Sequence, residues 1–411
     1  RLPRPVTAMK YVVLQGDGMA DEPIAELGGK TPLEYARTPN LDHMASRGIL
    51  GLTRTIPRGL PPGSDVGTMS VLGYDPTRYH TGRSPIEAAS MGVELGADDI
   101  AFRCNLVTLE TPEGGTEIMR DFAAGHPPSE EAAEVVRDMN RALGRDGLEF
   151  HPGVSYRHLL VWRGGESRMR TTPPHDLSDK PVARHFPDGP GAEVLRDLME
   201  RSRRFLAEHP LCQARAARGE RVPTSIWLWG QGKRPRLPTL RERFGVEGSV
   251  IAAVDLVNGL GVLAGLKRIA VPGATGFLDT NFRGKAEYGL RALAERDFLF
   301  LHVEAPDEGG HMGDAKKKVE AIENVDEKVI GPLLEGLRAT GGGWRLLVMP
   351  DHPTPCALKT HTAEPVPFVV YISSDEQKPR GLSRGYNERD ARELGIFIPE
   401  AHTLLARLLR R

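Results

Sequence analysis

Residues 345–361 read RLLVMPDHPTPCALKTH, and the reading of this stretch decides the fold. Leu346, Leu347, Val348 and Met349 form a short unbroken apolar run, the pattern of a strand buried on both faces of a covered parallel sheet. Pro350 halts it, Asp351 and His352 follow at once, and His361 comes nine residues later. In open α/β sheets, ligands bind outside the carboxyl ends of the strands. A carboxylate and two imidazoles at such an end, on a loop stiffened by Pro353 and Pro355, have the character of metal ligands. An Asp-His pair alone is more often a surface accident, so the reading depends on other stretches that end in the same way.

Three do. Residues 11–14, YVVL, read as a strand that empties into GDGMAD, which puts Asp17 between two glycines where a ligand can approach closely. Residues 298–303, FLFLHV, are a second fully buried strand, followed by EAPDEGGHMGD. There Asp307 and His311 stand four residues apart in what reads as a Gly-rich loop, a spacing that suits one cation. In LPPGSDVGTMSVLGY, residues 60–74, two prolines and a glycine hold Ser64 in a rigid turn ahead of a helix. Backbone N–H groups and the helix dipole favour an anion such as phosphate there, and an ordinary N-cap role for Ser64 is compatible with that.

Composition bounds the rest. The 411 residues are enough for two domains, and 54 Lys+Arg against 55 Asp+Glu leave a net charge of -1 with no long single-sign run. That balance argues against nucleic acid or an anionic membrane as partner. Cys104, Cys212 and Cys356 are scattered and odd in number, which fits a reducing compartment without a disulfide framework. No apolar stretch approaches the roughly 20 residues that span a bilayer, and residues 1–8 lack an apolar signal core. A cytoplasmic protein is expected, with Met9 as a natural start behind a disordered lead.

Between residues 92 and 222 the texture changes to dense Gly, Pro, Arg and Glu, with strand-like runs at 101–109 and 154–162 and one helix at 193–206. The expected architecture is α/β: a discontinuous domain of residues 9–91 and 223–411 with helices on both faces of its sheet, and an inserted smaller α/β domain at 92–222. Arg103, Arg120, Arg157 and Arg163 recur beside apolar strands of the insert and have the forked geometry that grips carboxylates and phosphates. After Pro223 the α/β rhythm resumes, with a strand at 226–229, Lys285 closing TGFLDTNFRGK, one amphipathic helix over 315–337 and a closing helix at 401–409.

Asp17, Ser64, Asp307, His311, Asp351, His352 and His361 are too many ligands for one divalent ion and about right for two. Paired ions can clamp the attacking and leaving oxygens of a phosphoryl displacement, and a serine hydroxyl on a cation becomes a nucleophile. The mixed oxygen and nitrogen set suits Mn²⁺, Zn²⁺ or Co²⁺. Only three of the thirteen histidines enter this set, so histidine content by itself identifies nothing.

The combination of DGMAD (17–21), GSDVG (63–67), APDEGGHMGD (305–314), PDH (350–352) and KTHTAEPVP (359–367) resembles the alkaline-phosphatase superfamily. Within it, the resemblance is strongest to the archaeal-type, cofactor-independent phosphoglycerate mutases. It implies an alkaline-phosphatase-like sheet and interconversion of 3-phosphoglycerate and 2-phosphoglycerate through a phosphoserine at Ser64, without 2,3-bisphosphoglycerate. It assigns Asp307, His311 and His361 to one metal and Asp17, Ser64, Asp351 and His352 to the other, with Mg²⁺ joining the candidate ions. The insert would hold the glycerate and close over the site. Arg157, Arg163 and Lys285 would contact substrate, as would, on weaker matches, Arg103, Arg120, Asp121 and His126. The chain departs from the longer bacterial mutases at Thr68, where those have a histidine shortly after the nucleophile loop's glycine. A metal-dependent phosphatase or phosphopentomutase would use the same fold and metals. A non-catalytic metal-binding scaffold would lose nothing on Ser64→Ala. A monomer or small homo-oligomer is expected.

Overall fold

The computed structural model describes residues 9–145, 147–378 and 385–410, so the expected disordered lead at 1–8 lies outside the described residues. The chain divides into two compact units, one running up to His80 and again from Arg236, the other Thr81–Pro235.

The first unit is built on an eight-stranded sheet. At its centre Lys10–Gly16 pairs in parallel with Phe298–Val303 on one side and Trp344–Met349 on the other. Beyond Phe298–Val303 lie Gly248–Ile251 and Lys267–Arg268, also parallel. Beyond Trp344–Met349 come Val366–Ile372 and Ile49–Thr53, each antiparallel to its inner neighbour, and finally Phe397–Ile398. The middles of the central strands are continuous apolar runs, Tyr11–Leu14, Phe298–Leu301 and Leu346–Met349, because both faces are covered. Val12, Leu14, Leu299, Leu301, Leu346 and Val348 point into one core, shared with residues of Pro39–Arg47, Phe282–Glu295 and the helical run from Ala315. The intervening Val13, Phe300 and Leu347 are equally buried. They face the opposite way, toward the side where Ser64–Val71, Asp255–Leu263 and His402–Leu409 pack together and on the sheet.

The helix expected over 315–337 is three segments: Ala315–Val325, a π-helical turn Asp326–Ile330, and Gly331–Ala339. Its apolar stripe (Val319, Ile322, Val325, Val329, Leu333, Leu337) is buried throughout. The spacing changes from three to four along that stripe, and the wider π turn keeps it facing one core.

In the second unit Ile100–Glu110 is the hub of a five-stranded sheet. It is antiparallel to Arg157–Trp162, to Ser225–Lys233 and, at its far end, to Ile118–Asp121; Leu148–Val154 pairs with Arg157–Trp162. Ser129–Leu143 and Ala192–Glu208 supply Val136, Met139, Leu195 and Met199 to a core with Phe102, Leu106, Leu160 and Trp227. This unit is wider than the 92–222 read from the sequence. Ser225–Lys233 pairs along the hub strand rather than resuming the first sheet, and Ser84–Ser90 packs against both strands. The strand expected at 154–162 is two, because the chain reverses at Ser155, whose φ is 55°.

All three cysteines are free and buried. Among the described residues no helix is long and apolar enough to cross a membrane.

Candidate functional site

The three central parallel strands of the first unit end level: Gln15 lies opposite both His302 and Met349 in the sheet register. The residues that follow, Asp17, Glu304 and Asp351, therefore leave the sheet side by side at its carboxyl edge. The Asp17 N–H donates to Val303 O at 2.9 Å and fixes the first tip to the second. Gly18 adopts φ 59°. A Cβ there would lie 2.5 Å from both Asp307 Oδ1 and Thr354 Oγ1, so a side chain would push the turn after Asp17 away from both residues. Gly67 plays the same part for the serine helix, since a Cβ on it would stand 2.5 Å from Asp351 O.

Ser64 is the first residue of Ser64–Val71, and its Oγ lies 3.2 Å from His352 Nε2. That nitrogen is also 3.3 Å from Asp351 Oδ2 and 3.6 Å from Asp17 Oδ1. Asp17, Asp351 and His352 are completely buried, and Asp17 Oδ1 and Asp351 Oδ2 have no hydrogen-bond partner. Burial, then the neighbouring carboxylates, raises Asp17 well above its usual range and Asp351 to about 7; burial and the His361 charge push His352 down to about 3. Two orphaned carboxylate oxygens beside a neutral imidazole and a hydroxyl are donors that could hold a divalent cation, whose charge would reverse these shifts.

A second group adjoins it. His311 Nε2 is 3.1 Å from Asp307 Oδ2, His361 Nε2 is 3.6 Å from Asp307 Oδ1, and the two Nε2 atoms are 3.0 Å apart. Their donor atoms converge closely enough to share one ion. Burial opposes ionisation of Asp307, but hydrogen bonds from His311 and His361 hold it well below the usual carboxylate range, and the same bond raises His311 to about 9. Thr354 Oγ1 joins the groups, donating to Asp307 Oδ1 and lying 3.2 Å from His352 Nδ1. The His352 and His361 rings stack at 4.0 Å between centroids.

Asp307 and His311 sit on a helix, Ala305–Met312, and not in a loop. The glycines that read as loop residues serve close packing: a Cβ on Gly309 would stand 2.7 Å from Lys318 Cα, and one on Gly310 2.3 Å from Thr354 O. The i, i+4 spacing then places carboxylate and imidazole on one helical face.

Several residues here were not singled out by the sequence reading. His302, one residue before the end of its strand, has Nε2 2.8 Å from Asp17 Oδ2 and 3.3 Å from Glu304 Oε2, making Asp17, His302 and Glu304 a third convergent group. Gln15 Nε2 donates to Thr68 Oγ1 at 2.8 Å, so Thr68, the residue after Gly67, is tied beneath the site. Polar residues one place before the end of otherwise apolar strands were the available signal. Lys285 is buried, donates to His302 O at 3.0 Å, and is lowered to about 8 by burial.

The arginines expected to contact substrate lie in the second unit and differ sharply. Arg163 forks onto Glu149 and Asp99, its Nη1 2.7 Å from Asp99 Oδ2, which holds it charged. Arg120 is taken up by Glu110 and Asp179. Asp121 caps a turn by accepting from the N–H groups of Ala123 and Gly125, and His126 meets Tyr156 edge-on. Arg103 is buried between Glu87, at 2.9 Å, and the Trp229 ring. Arg157 is exposed beside Tyr156 and makes no ion pair with another described residue.

The family model described as 2,3-bisphosphoglycerate-independent phosphoglycerate mutase matches residues 45–212. A protein of Geobacter sulfurreducens, described as a probable 2,3-bisphosphoglycerate-independent phosphoglycerate mutase, is 51% identical over 403 residues, 98% of this chain and 100% of its own. The 2,3-bisphosphoglycerate-independent phosphoglycerate mutase of Methanosarcina acetivorans is 46% identical over 404 residues, with 98% and 100% covered. Among solved structures, a Pyrococcus horikoshii protein superposes with a TM-score of 0.79 at 30% identity, over 98% of this chain and 97% of its own. The cofactor-independent phosphoglycerate mutase of Thermoplasma acidophilum shares the fold, with a TM-score of 0.64 at 24% identity and 98% and 99% covered.

Proposed function

The chain belongs to the 2,3-bisphosphoglycerate-independent phosphoglycerate mutases, and from that premise we propose that Ser64 is the group that carries the phosphoryl between the two hydroxyls of glycerate. The reaction is the interconversion of 3-phosphoglycerate and 2-phosphoglycerate, an isomerisation that requires no 2,3-bisphosphoglycerate. The observation that carries the assignment of Ser64 is its place at a helix N-terminus, with Oγ 3.2 Å from His352 Nε2 in a cluster of orphaned carboxylate oxygens.

Asp307, His311 and His361 would hold one divalent ion, and Asp17, Asp351, His352 and the Ser64 hydroxyl the other, from among Mn²⁺, Zn²⁺, Co²⁺ and Mg²⁺. The chemistry such ions supply when bound is a lowered pKa at the serine and neutralisation of charge on the transferring phosphoryl. Ser64 Oγ attacks phosphorus, the bond to the 3-oxygen breaks and that oxygen takes up a proton. The 2-hydroxyl then attacks the phosphoserine, the bond from phosphorus to Ser64 Oγ breaks, and Oγ takes up a proton to match the one the 2-hydroxyl gives up. The N–H groups at the start of Ser64–Val71 receive the phosphoryl oxygens. Lys285 contributes a further positive charge at the same strand tips.

Residues 92–222, within the wider second unit, are proposed to hold the glycerate and exclude water. Arg157, with no carboxylate already on it, is the preferred anion-binding residue there. Arg163 and Arg120 brace carboxylates, and Arg103 is held between Glu87 and the Trp229 ring.

Protein given 3-phosphoglycerate and quenched should show a phosphoryl mass shift on the Ser64 peptide, and 2-phosphoglycerate should accumulate. Ser64→Ala should abolish both, lowering turnover by orders of magnitude. Turnover without a phosphorylated Ser64 peptide rejects the nucleophile, and inorganic phosphate as sole product marks a phosphatase.

A further inference from the structure

His302 is a fully buried imidazole in a strand whose other residues, Phe298, Leu299, Phe300, Leu301 and Val303, are all apolar. A polar ring placed there needs a partner. It has one, on Nε2, which lies 2.8 Å from Asp17 Oδ2; Glu304 Oε2 stands 3.3 Å from the same nitrogen but is not hydrogen-bonded to it. Both neighbours are carboxylate oxygens, so Nε2 carries the proton and donates it. Nδ1, left as a bare lone pair, has no hydrogen-bond partner.

The consequence falls on Asp17. Its Oδ2 is held by His302, with Gln15 Nε2 at 3.5 Å on the same oxygen. Its Oδ1 accepts nothing and lies 3.6 Å from His352 Nε2. A carboxylate gripped through one oxygen presents the other in a fixed direction. We infer that His302 is a positioning residue that turns Asp17 so that Oδ1 alone faces the cation held with Asp351 and His352. This rests on the reading that those residues bind a divalent ion.

The rival role is that of ligand, since Asp17, His302 and Glu304 present donor atoms within 4.8 Å of one another. Two observations favour positioning. The 2.8 Å separation from Asp17 is that of a charge-assisted hydrogen bond. In addition, the buried Lys285 ammonium sits on His302 O at 3.0 Å, so positive charge already stands beside this group.

The test is Mn²⁺ titration of the metal-stripped full chain, by calorimetry with electron paramagnetic resonance counting free ion. Wild type should bind two ions. His302→Leu should keep the affinity of the Asp307–His311–His361 site and lose about 10–100-fold at the other, the usual effect of removing an outer partner of a metal ligand. His302→Gln, which restores an N–H near Nε2, should recover most of that loss, a rescue that a merely space-filling role would not show. Wild-type affinity at both sites in His302→Leu overturns the inference. So does a third ion in wild type that His302→Leu loses, because His302 would then be a ligand. Should His302→Leu fail to fold, the glutamine variant decides, and a tenfold loss in it counts against positioning. Asp351→Asn separates the premise: unchanged binding of both ions there removes the metal reading itself.

Discussion

The His311 imidazole is where proton and metal compete most directly. Its Nε2 lies 3.1 Å from Asp307 Oδ2, and that bond raises the ring to about 9. Below that pH the metal-free protein keeps the ring protonated, whereas a metal ligand must offer a bare lone pair. A raised pKa therefore means that binding displaces a proton at neutral pH and that affinity falls as pH falls. Mn²⁺ binding at pH 7 should release at least one proton, and apparent affinity should climb about tenfold per pH unit until roughly pH 9. Calorimetry in two buffers of different ionisation enthalpy measures this directly, and equal heats in both at pH 7 would refute it. The seven proposed ligand residues were legible because each follows, or closely follows, an apolar run or a proline-stiffened turn. His302 and Glu304 were not. Within one strand a histidine looks like a core residue, and its partner Asp17 is 285 residues away in the chain. The same blindness applies to Arg163, whose engagement by Asp99 and Glu149 depends on strand pairing that no local pattern announces.

At the scale of elements, the proposed site is braced by a buried cation to which the proposed mechanism gives no step. Lys318, fully buried in Ala315–Val325, donates to Ala20 O at 3.0 Å, Asp21 Oδ2 at 2.8 Å and Thr354 O at 2.8 Å. One ammonium thus staples a helix to the loop after Asp17 and to the loop after His352, with all three of its protons used. Lys318→Met keeps the volume but leaves a buried Asp21 carboxylate without its counter-charge, and unfolding stability should drop by about 3–5 kcal/mol. Urea denaturation of the two proteins checks this, and a loss below about 1 kcal/mol would show the pair to be dispensable. The sequence pattern correctly foretold a buried stripe on this helix, but not its π turn, because registry between a stripe and its core is set by packing. It also read the glycines of APDEGGHMGD as loop formers. Helix propensity was the weaker term there: Gly309 and Gly310 let Ala305–Met312 lie against Lys318 and Thr354 more closely than any side chain permits.

At the scale of the whole molecule, the chain enters and leaves the second unit at one place. Thr81 Oγ1 donates to Lys233 O, and a Cβ on Gly82 would stand 2.3 Å from Gln231 O, so the first and last residues of Thr81–Pro235 run side by side. This segment also has its own sheet and its own core, centred on Phe102, Leu106, Leu160 and Trp227. A continuous stretch of this length with adjacent ends and a separate core meets the physical conditions for independent folding. Residues 81–235 expressed alone should therefore unfold cooperatively, with one sigmoidal transition shared by far-ultraviolet circular dichroism and tryptophan fluorescence from the buried Trp227. The fragment should bind no Mn²⁺ at the affinity of the full chain, because every proposed metal ligand lies outside it. A broad, non-coincident transition would mean that the core of the second unit is completed by residues beyond 81–235. Tight Mn²⁺ binding by the fragment would move the metal site out of the eight-stranded sheet altogether.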